Sequence, residues 1–183
     1  MKPAYLLHLP GGETALFRQI DAPLNSAALR ELRDYWVTLK QGSAMPSRAQ
    51  FDPVDIPHLL SKLILLDVVR APLRFRHRVI GTYITELTQR DLTGQWLLED
   101  YYGDKFDYLF ALHRKCVEDR APIAVYGETL FRQMGWTKVE HLYLPLSEDG
   151  QTVNMLLIGC ELCGEYEPLR PGEEKLLLNW QRA

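Results

Sequence analysis

The stretch RHRVIGTYITELTQRDLTGQ, Arg76 to Gln95, decides how the rest of this chain reads. It holds a strand-like run, one glycine, a short apolar stretch and a second turn signal at Asp91–Gly94. A glycine between a strand and a helix can let backbone approach a phosphate, and neighbouring arginines suit an anion. A dinucleotide loop, however, needs three glycines at GxGxxG spacing, and a P-loop needs Gly-Lys-Ser/Thr. Gly81 is followed by Thr82 and Tyr83, so neither motif is present. The remaining reading places Gly81 at a strand end, where glycine supplies a positive φ or room for a turn.

Working outward, SKLILLDVVR (61–70) and LRFRHRVIG (73–81) are strand candidates joined by a short Ala71-Pro72 connection, which predicts an antiparallel hairpin. Strict alternation puts Phe75, His77 and Val79 on one face of the second strand and Arg74, Arg76 and Arg78 on the other. Upstream, Asn25 or Ser26 can cap a helix whose Leu29, Leu32, Trp36 and Leu39 form one apolar stripe, closed by Gly42. That stripe either packs on the domain or pairs with its copy in a homodimer. SAMPSRAQFDPVDIPHLL follows, where Asp52 can cap a short helix with Pro53 at its first position and Asp55 in its first turn. Residues 1–25, with Pro3, Pro10, Gly11, Gly12 and Pro23, read as an irregular lead with room for one short strand.

Downstream, residues 82–102 predict one or two short helices. DKFDYLFALHRKCVEDRAP is the clearest helix in the chain, capped by Asp104, striped by Phe106, Leu109, Phe110, His113 and Val117, and stopped by Pro122. AVYGETLFRQ, VEHLYLPLS and VNMLLIGCEL then form three β-rich runs with tight turns between them, a meander. The tail, residues 166–183, offers a short last helix with Leu176, Leu177 and Trp180 on its apolar side. The order of helix, two strands, helices and three strands lacks a repeating βαβ unit, which predicts an α+β fold on an antiparallel sheet. Residues 26–42 supply the leading helix and 43–165 the domain proper.

The chain has 183 residues, 46% of them hydrophobic, enough for a substantial core. Its net charge of −3 gives no field that would recruit nucleic acid or an anionic membrane. The apolar run Tyr5–Leu9 is too short and too broken for a signal or a span, so a cytoplasmic protein is expected. Three cysteines argue against a disulfide framework.

Catalytic signals are sparse. Cys160-Glu161-Leu162-Cys163 has CxxC spacing, which a thiol redox pair or half of a metal site would need. The pair ends a predicted strand, with no helix N-terminus to lower a thiol pKa, and no second close-spaced ligand pair stands among the five scattered histidines. No metal site is therefore expected, and small strand cysteines account for the pattern. His77 and His113, each on an apolar face, could hold a buried ligand or be satisfied core histidines. No Ser/His/Asp set, nucleophile elbow or paired-carboxylate motif is legible. Arg74, Arg76 and Arg78 form a basic strip, read as a solvated face or a partner contact rather than a nucleic-acid patch, because no aromatic interleaves on the same strand face.

Taken in order, MPSRAQFDPVDIPHLL, LILLDVV, LRFRHRVIGT, RDLTGQ and VEHLYLPLSEDG resemble the single-domain PAS proteins common in alphaproteobacteria, from about Trp36 to Leu162. The resemblance implies a PAS fold: a five-stranded antiparallel sheet with short helices and one longer helix on one face, around a small interior cavity. By position, Trp36, Pro46, Arg48, Asp52, Pro53, Asp55 and Ile56 match the family's opening segment. Gly81, Thr82, Arg90, Asp91, Leu92, Thr93 and Gly94 match its strand-exit and turn segment, and Glu140 with Leu144-Pro145-Leu146 match a later strand. The family carries an aromatic where this chain has His77, and a glycine where it has Gln89. Flavin-binding light sensors of the PAS class carry a reactive cysteine in an Asn-Cys-Arg-type motif; RDLTGQWL holds none, and the resemblance names no cofactor.

On this reading the chain is a non-catalytic sensory or regulatory module of bacterial signal transduction, with no output domain of its own. It binds a small molecule, or a protein partner such as a signalling kinase or regulator. The pocket is expected from Phe75, His77, Val79, Tyr83, Leu87, Phe110 and His113. The partner surface is expected from Arg74, Arg76, Arg78, Leu29 and Leu32. Two rivals stand beside it: a pure adaptor with a filled core, and a thiol redox or metal-dependent activity at Cys160 and Cys163.

Overall fold

The computed structural model describes residues 5–8, 14–19, 24–102, 106–131, 135–162 and 177–178. The hairpin expected from 61–81 forms: β3 (Leu63–Val69) pairs antiparallel with β4 (Arg74–Ile80). The meander forms as β5 (Ile123–Phe131), β6 (Gly135–Leu146) and β7 (Met155–Leu162). β7 then pairs with β3, closing the five-stranded order β5-β6-β7-β3-β4. The lead read as irregular contributes β1 (Tyr5–His8) and β2 (Thr14–Gln19), an antiparallel pair that adds to the free edge of β5. An unpaired strand edge is a row of unmet backbone donors and acceptors, and the lead supplies their partners. In the tail, Leu177–Leu178 is a two-residue strand, β8, parallel to β5 rather than part of the expected helix.

Alternation fixes two faces. Leu142, Leu144 and Leu146 of β6 share a face with Gly159 of β7 and with Leu63 and Leu65 of β3. Helix α1 (Ala27–Leu39) lies on this outer face, capped by the Ser26 side chain, which accepts from the Leu29 N–H at 3.2 Å. A Cβ on Gly159 would meet the Leu29 and Leu32 methyl groups at 2.6 Å, so the missing side chain is what lets the helix sit on the strand. Leu29, Leu32 and Trp36 are all buried there, each such burial worth about 1.5–3 kcal/mol. Of the two readings of the leading stripe, packing on its own domain is the one observed, and Leu29 and Leu32 are not available as a partner surface.

The opposite, inner face carries α2 (Thr82–Thr88), α3 (Glu99–Tyr102) and α4 (Phe106–Asp119). The buried side of α4 is broader than the expected stripe, because Tyr108, Leu112 and Cys116 join His113 and Val117. Asp104, expected as its cap, lies outside the described residues.

Gly81 has a φ of −66°, so the expected positive φ is not its reason. A Cβ there would stand 2.1 Å from the Ser61 carbonyl oxygen, which makes the position a close approach between two backbones. Gln89, by contrast, ends α2 with a φ of 55°, the left-handed conformation glycine prefers, and its side chain donates to the Glu86 carbonyl at 2.7 Å.

Candidate functional site

The family-matching residues mostly tie the fold together. Trp36 Nε1 donates to the Pro145 carbonyl at 3.0 Å, and the Pro46 carbonyl accepts from the Ser147 N–H at 2.9 Å. Arg48 donates to the Phe51 carbonyl and lies over that ring. Asp52 caps the 3₁₀ turn Pro53–Asp55 by accepting from the Val54 N–H, while Asp55 accepts from the Tyr35 hydroxyl at 2.8 Å. Asp91 accepts from the Thr93 N–H at 2.9 Å, and Gly94 follows with a φ of 82°. These residues aim Arg90–Gln95 so that Gly94–Leu97 runs antiparallel beside β4: the Gly94 N–H donates to the His77 carbonyl, the His77 N–H to the Gln95 carbonyl and the Leu97 N–H to the Phe75 carbonyl.

β4 holds a bulge, and it changes which residues face inward. Val79 lies opposite Leu65 but His77 lies opposite Leu66, leaving Arg78 as the extra residue. One added residue flips the alternation, so Val79 turns to the outer face with Arg78 and is 50% exposed. Val79 is therefore not a pocket residue. Phe75 and His77 do face inward, both fully buried.

Around them an aromatic group assembles. Phe75 lies 5.5 Å from Phe110 and 5.0 Å from the His113 ring, and His113 meets Tyr143 of β6 edge-on at 5.5 Å. His77 stacks on Tyr102 of α3 with centroids 6.1 Å apart. Tyr83 and Leu87 of α2 pack half-buried against the core, and the Lys62 ammonium stands 5.3 Å from the Tyr83 ring. The structure brings Phe75, His77, Phe110 and His113 to one inner face, joined by Tyr102, Gln95 and Tyr143. Those three are invisible from the sequence, because their link to His77 or His113 depends on how α3, the edge segment and β6 fold onto β4.

The His77 ring is engaged at both nitrogens. Nδ1 lies 3.1 Å from the Gln95 carbonyl, which can only accept, so Nδ1 carries the proton. Nε2 is then an acceptor, and the Tyr102 hydroxyl donates to it at 2.9 Å. Burial lowers the His77 pKa and raises that of Tyr102, which keeps both groups neutral near pH 7. His113 donates from Nδ1 to the Leu109 carbonyl one turn back, and burial brings its pKa down to about 4. The site is a neutral, aromatic inner face with one polar pair in it.

Cys160 lies buried in β7 with its thiol pushed up to about 12 by burial, the reverse of an activated nucleophile. Cys163 is outside the described residues. Among the described residues no group of three or more His, Cys, Asp or Glu side chains is placed to hold a metal ion, and no helix is long and apolar enough to cross a membrane.

The PAS domain family matches residues 24–160, about three quarters of the chain. This chain belongs to the PAS domain family. The five-stranded sheet with helices against it is the PAS fold, and the match begins just ahead of α1 and ends inside β7. No curated protein matches the chain. Among solved structures it is similar to one described as an RNA-binding Light-Oxygen-Voltage receptor, at 14% identity and a TM-score of 0.42. That alignment covers 64% of this chain and 35% of the receptor, and a likeness at that level carries no argument.

Proposed function

We propose that this PAS domain is a non-catalytic sensory module of bacterial signal transduction, of the single-domain alphaproteobacterial kind, that takes a small, largely apolar ligand at its inner face. The observation that supports the reading most directly is the His77–Tyr102 pair, a neutral donor–acceptor couple set among Phe75, Phe110 and His113. An apolar wall with a few placed polar groups is the usual composition of a small-molecule site. A ligand that hydrogen-bonds there competes for the Tyr102 hydroxyl or the His77 imidazole, so binding shifts how α3 sits on the sheet.

The test is denaturing mass spectrometry with an absorbance spectrum on protein purified without added ligand, then on His77→Phe. A stoichiometric compound released by the wild type and lost from His77→Phe supports the reading. An empty protein with no thermal shift across a metabolite panel overturns it. The adaptor reading would then stand, and it has its own support in Phe75, fully buried and in contact with two rings.

A further inference from the structure

The bulge that removes Val79 from the inner face builds something on the outer one. Arg74, Arg76, Arg78 and Val79 are all exposed on the β4 end of the sheet, beyond the β6–β7 region that α1 covers. Alternate strand residues stand about 6.6 Å apart, so Arg74 and Arg76 repeat at the spacing of an extended chain. The Arg74 guanidinium lies over the half-buried Trp96 ring, 4.3 Å from its centroid, a cation–π contact that holds it in place. Arg76 commits Nε to the Gly94 carbonyl at 2.9 Å, which pins its stem. Arg78 pairs at 3.0 Å with Asp67, which lies on β3 opposite Arg76. Three guanidiniums with one carboxylate make a local positive strip on a chain whose net charge is −3.

From this we infer that the outer face of β4 docks an acidic, extended segment of a protein partner. Two of the guanidiniums are held at their stems by Trp96 and Gly94, and ordered guanidiniums favour planar carboxylates, which they meet through two parallel N–H donors. The Arg78–Asp67 pair, a single Nη1–Oδ1 bond at 3.0 Å, shows a guanidinium already meeting a carboxylate on this surface. An extended partner with acids at alternate positions matches the strand spacing, and Val79 offers apolar contact beside them. Single-stranded nucleic acid fits less well, because one face of the Trp96 ring, the aromatic beside the strip, is taken by Arg74 and is closed to base stacking. This inference does not depend on the inner face holding a ligand.

The experiment is fluorescence anisotropy on the full chain with three fluorescein-labelled probes. These are a short peptide with glutamate at every second position and threonine between, its lysine counterpart, and a single-stranded oligonucleotide of equal length. The glutamate peptide should bind, weaken as salt rises, and lose about tenfold in affinity on Arg74→Gln/Arg78→Gln. Val79→Glu, which removes none of the groups in these guanidinium contacts, should give a loss in the same direction. The inference is overturned if the glutamate peptide does not bind, if both variants bind it within about twofold of the wild type, or if the oligonucleotide binds more tightly.

Discussion

His113 is buried between Phe75 and Tyr143, with its Nδ1 proton on the Leu109 carbonyl. Its pKa of about 4 compares with about 6.5 for an unfolded histidine. Between those values the unfolded chain binds a proton that the native one does not, so native stability rises with pH in that window. The contribution is complete above the unfolded value and is lost as pH falls toward the folded one. At about pH 5 the loss should be about 2 kcal/mol from His113, and His77, also depressed, adds in the same direction. Urea unfolding at about pH 7.5 and about pH 5 checks this, with His113→Phe as the comparison. The variant should lose less stability than the wild type on acidification; an equal loss in both would show that His113 is not the titrating group.

One element up, α1 is held by the strand beneath it. Glu140 of β6 is fully buried, and its two carboxylate oxygens accept from the Asn25 and Ser26 N–H groups at 3.0 and 2.8 Å. The first turn of α1 has no acidic residue of its own, so this carboxylate supplies the negative charge its N-terminus favours. Hydrogen bonds to a charged group are worth about 1.5–3 kcal/mol, and Glu140→Gln turns an amide NH₂ toward one of the two donors. We expect a loss of about 2–3 kcal/mol, with hydrogen exchange across residues 27–39 accelerated well beyond that of β3 and β7. Uniform acceleration, or none, would mean that Glu140 does not anchor the helix. The elements themselves were legible because each carries its own period: the α1 stripe, the 61–81 hairpin and the three-run meander all follow from local spacing. The Arg78 bulge was not, since nothing in RFRHRVI marks where alternation breaks; the break appears only when Leu65 and Leu66 pair across it. The same holds for Tyr102, whose place against His77 depends on the path of the chain after Gly94.

At the scale of the whole molecule, Gly94–Leu97 is the part both faces touch. From inside, the Gln95 carbonyl accepts from both the backbone N–H and the imidazole of His77. From outside, Arg76 holds the Gly94 carbonyl and Arg74 lies over Trp96. His77 and the outer strip are thus joined through Gln95 and its neighbours Gly94 and Trp96. That is the short connection a sensor needs if occupancy inside is to bias docking outside, since a ligand can shift such an equilibrium only by interacting differently with its two states. Phenylalanine at 77 removes the ring contacts to Gln95 and Tyr102 but keeps the backbone bond. We expect the fluorine resonance of 5-fluorotryptophan at position 96, assigned through Trp96→Phe, to shift on His77→Phe. The Trp36 resonance, with Nε1 bonded to the Pro145 carbonyl on the outer face under α1, should stay in place. If Trp96 shifts no more than Trp36, the edge segment does not carry the signal, and the two faces act independently.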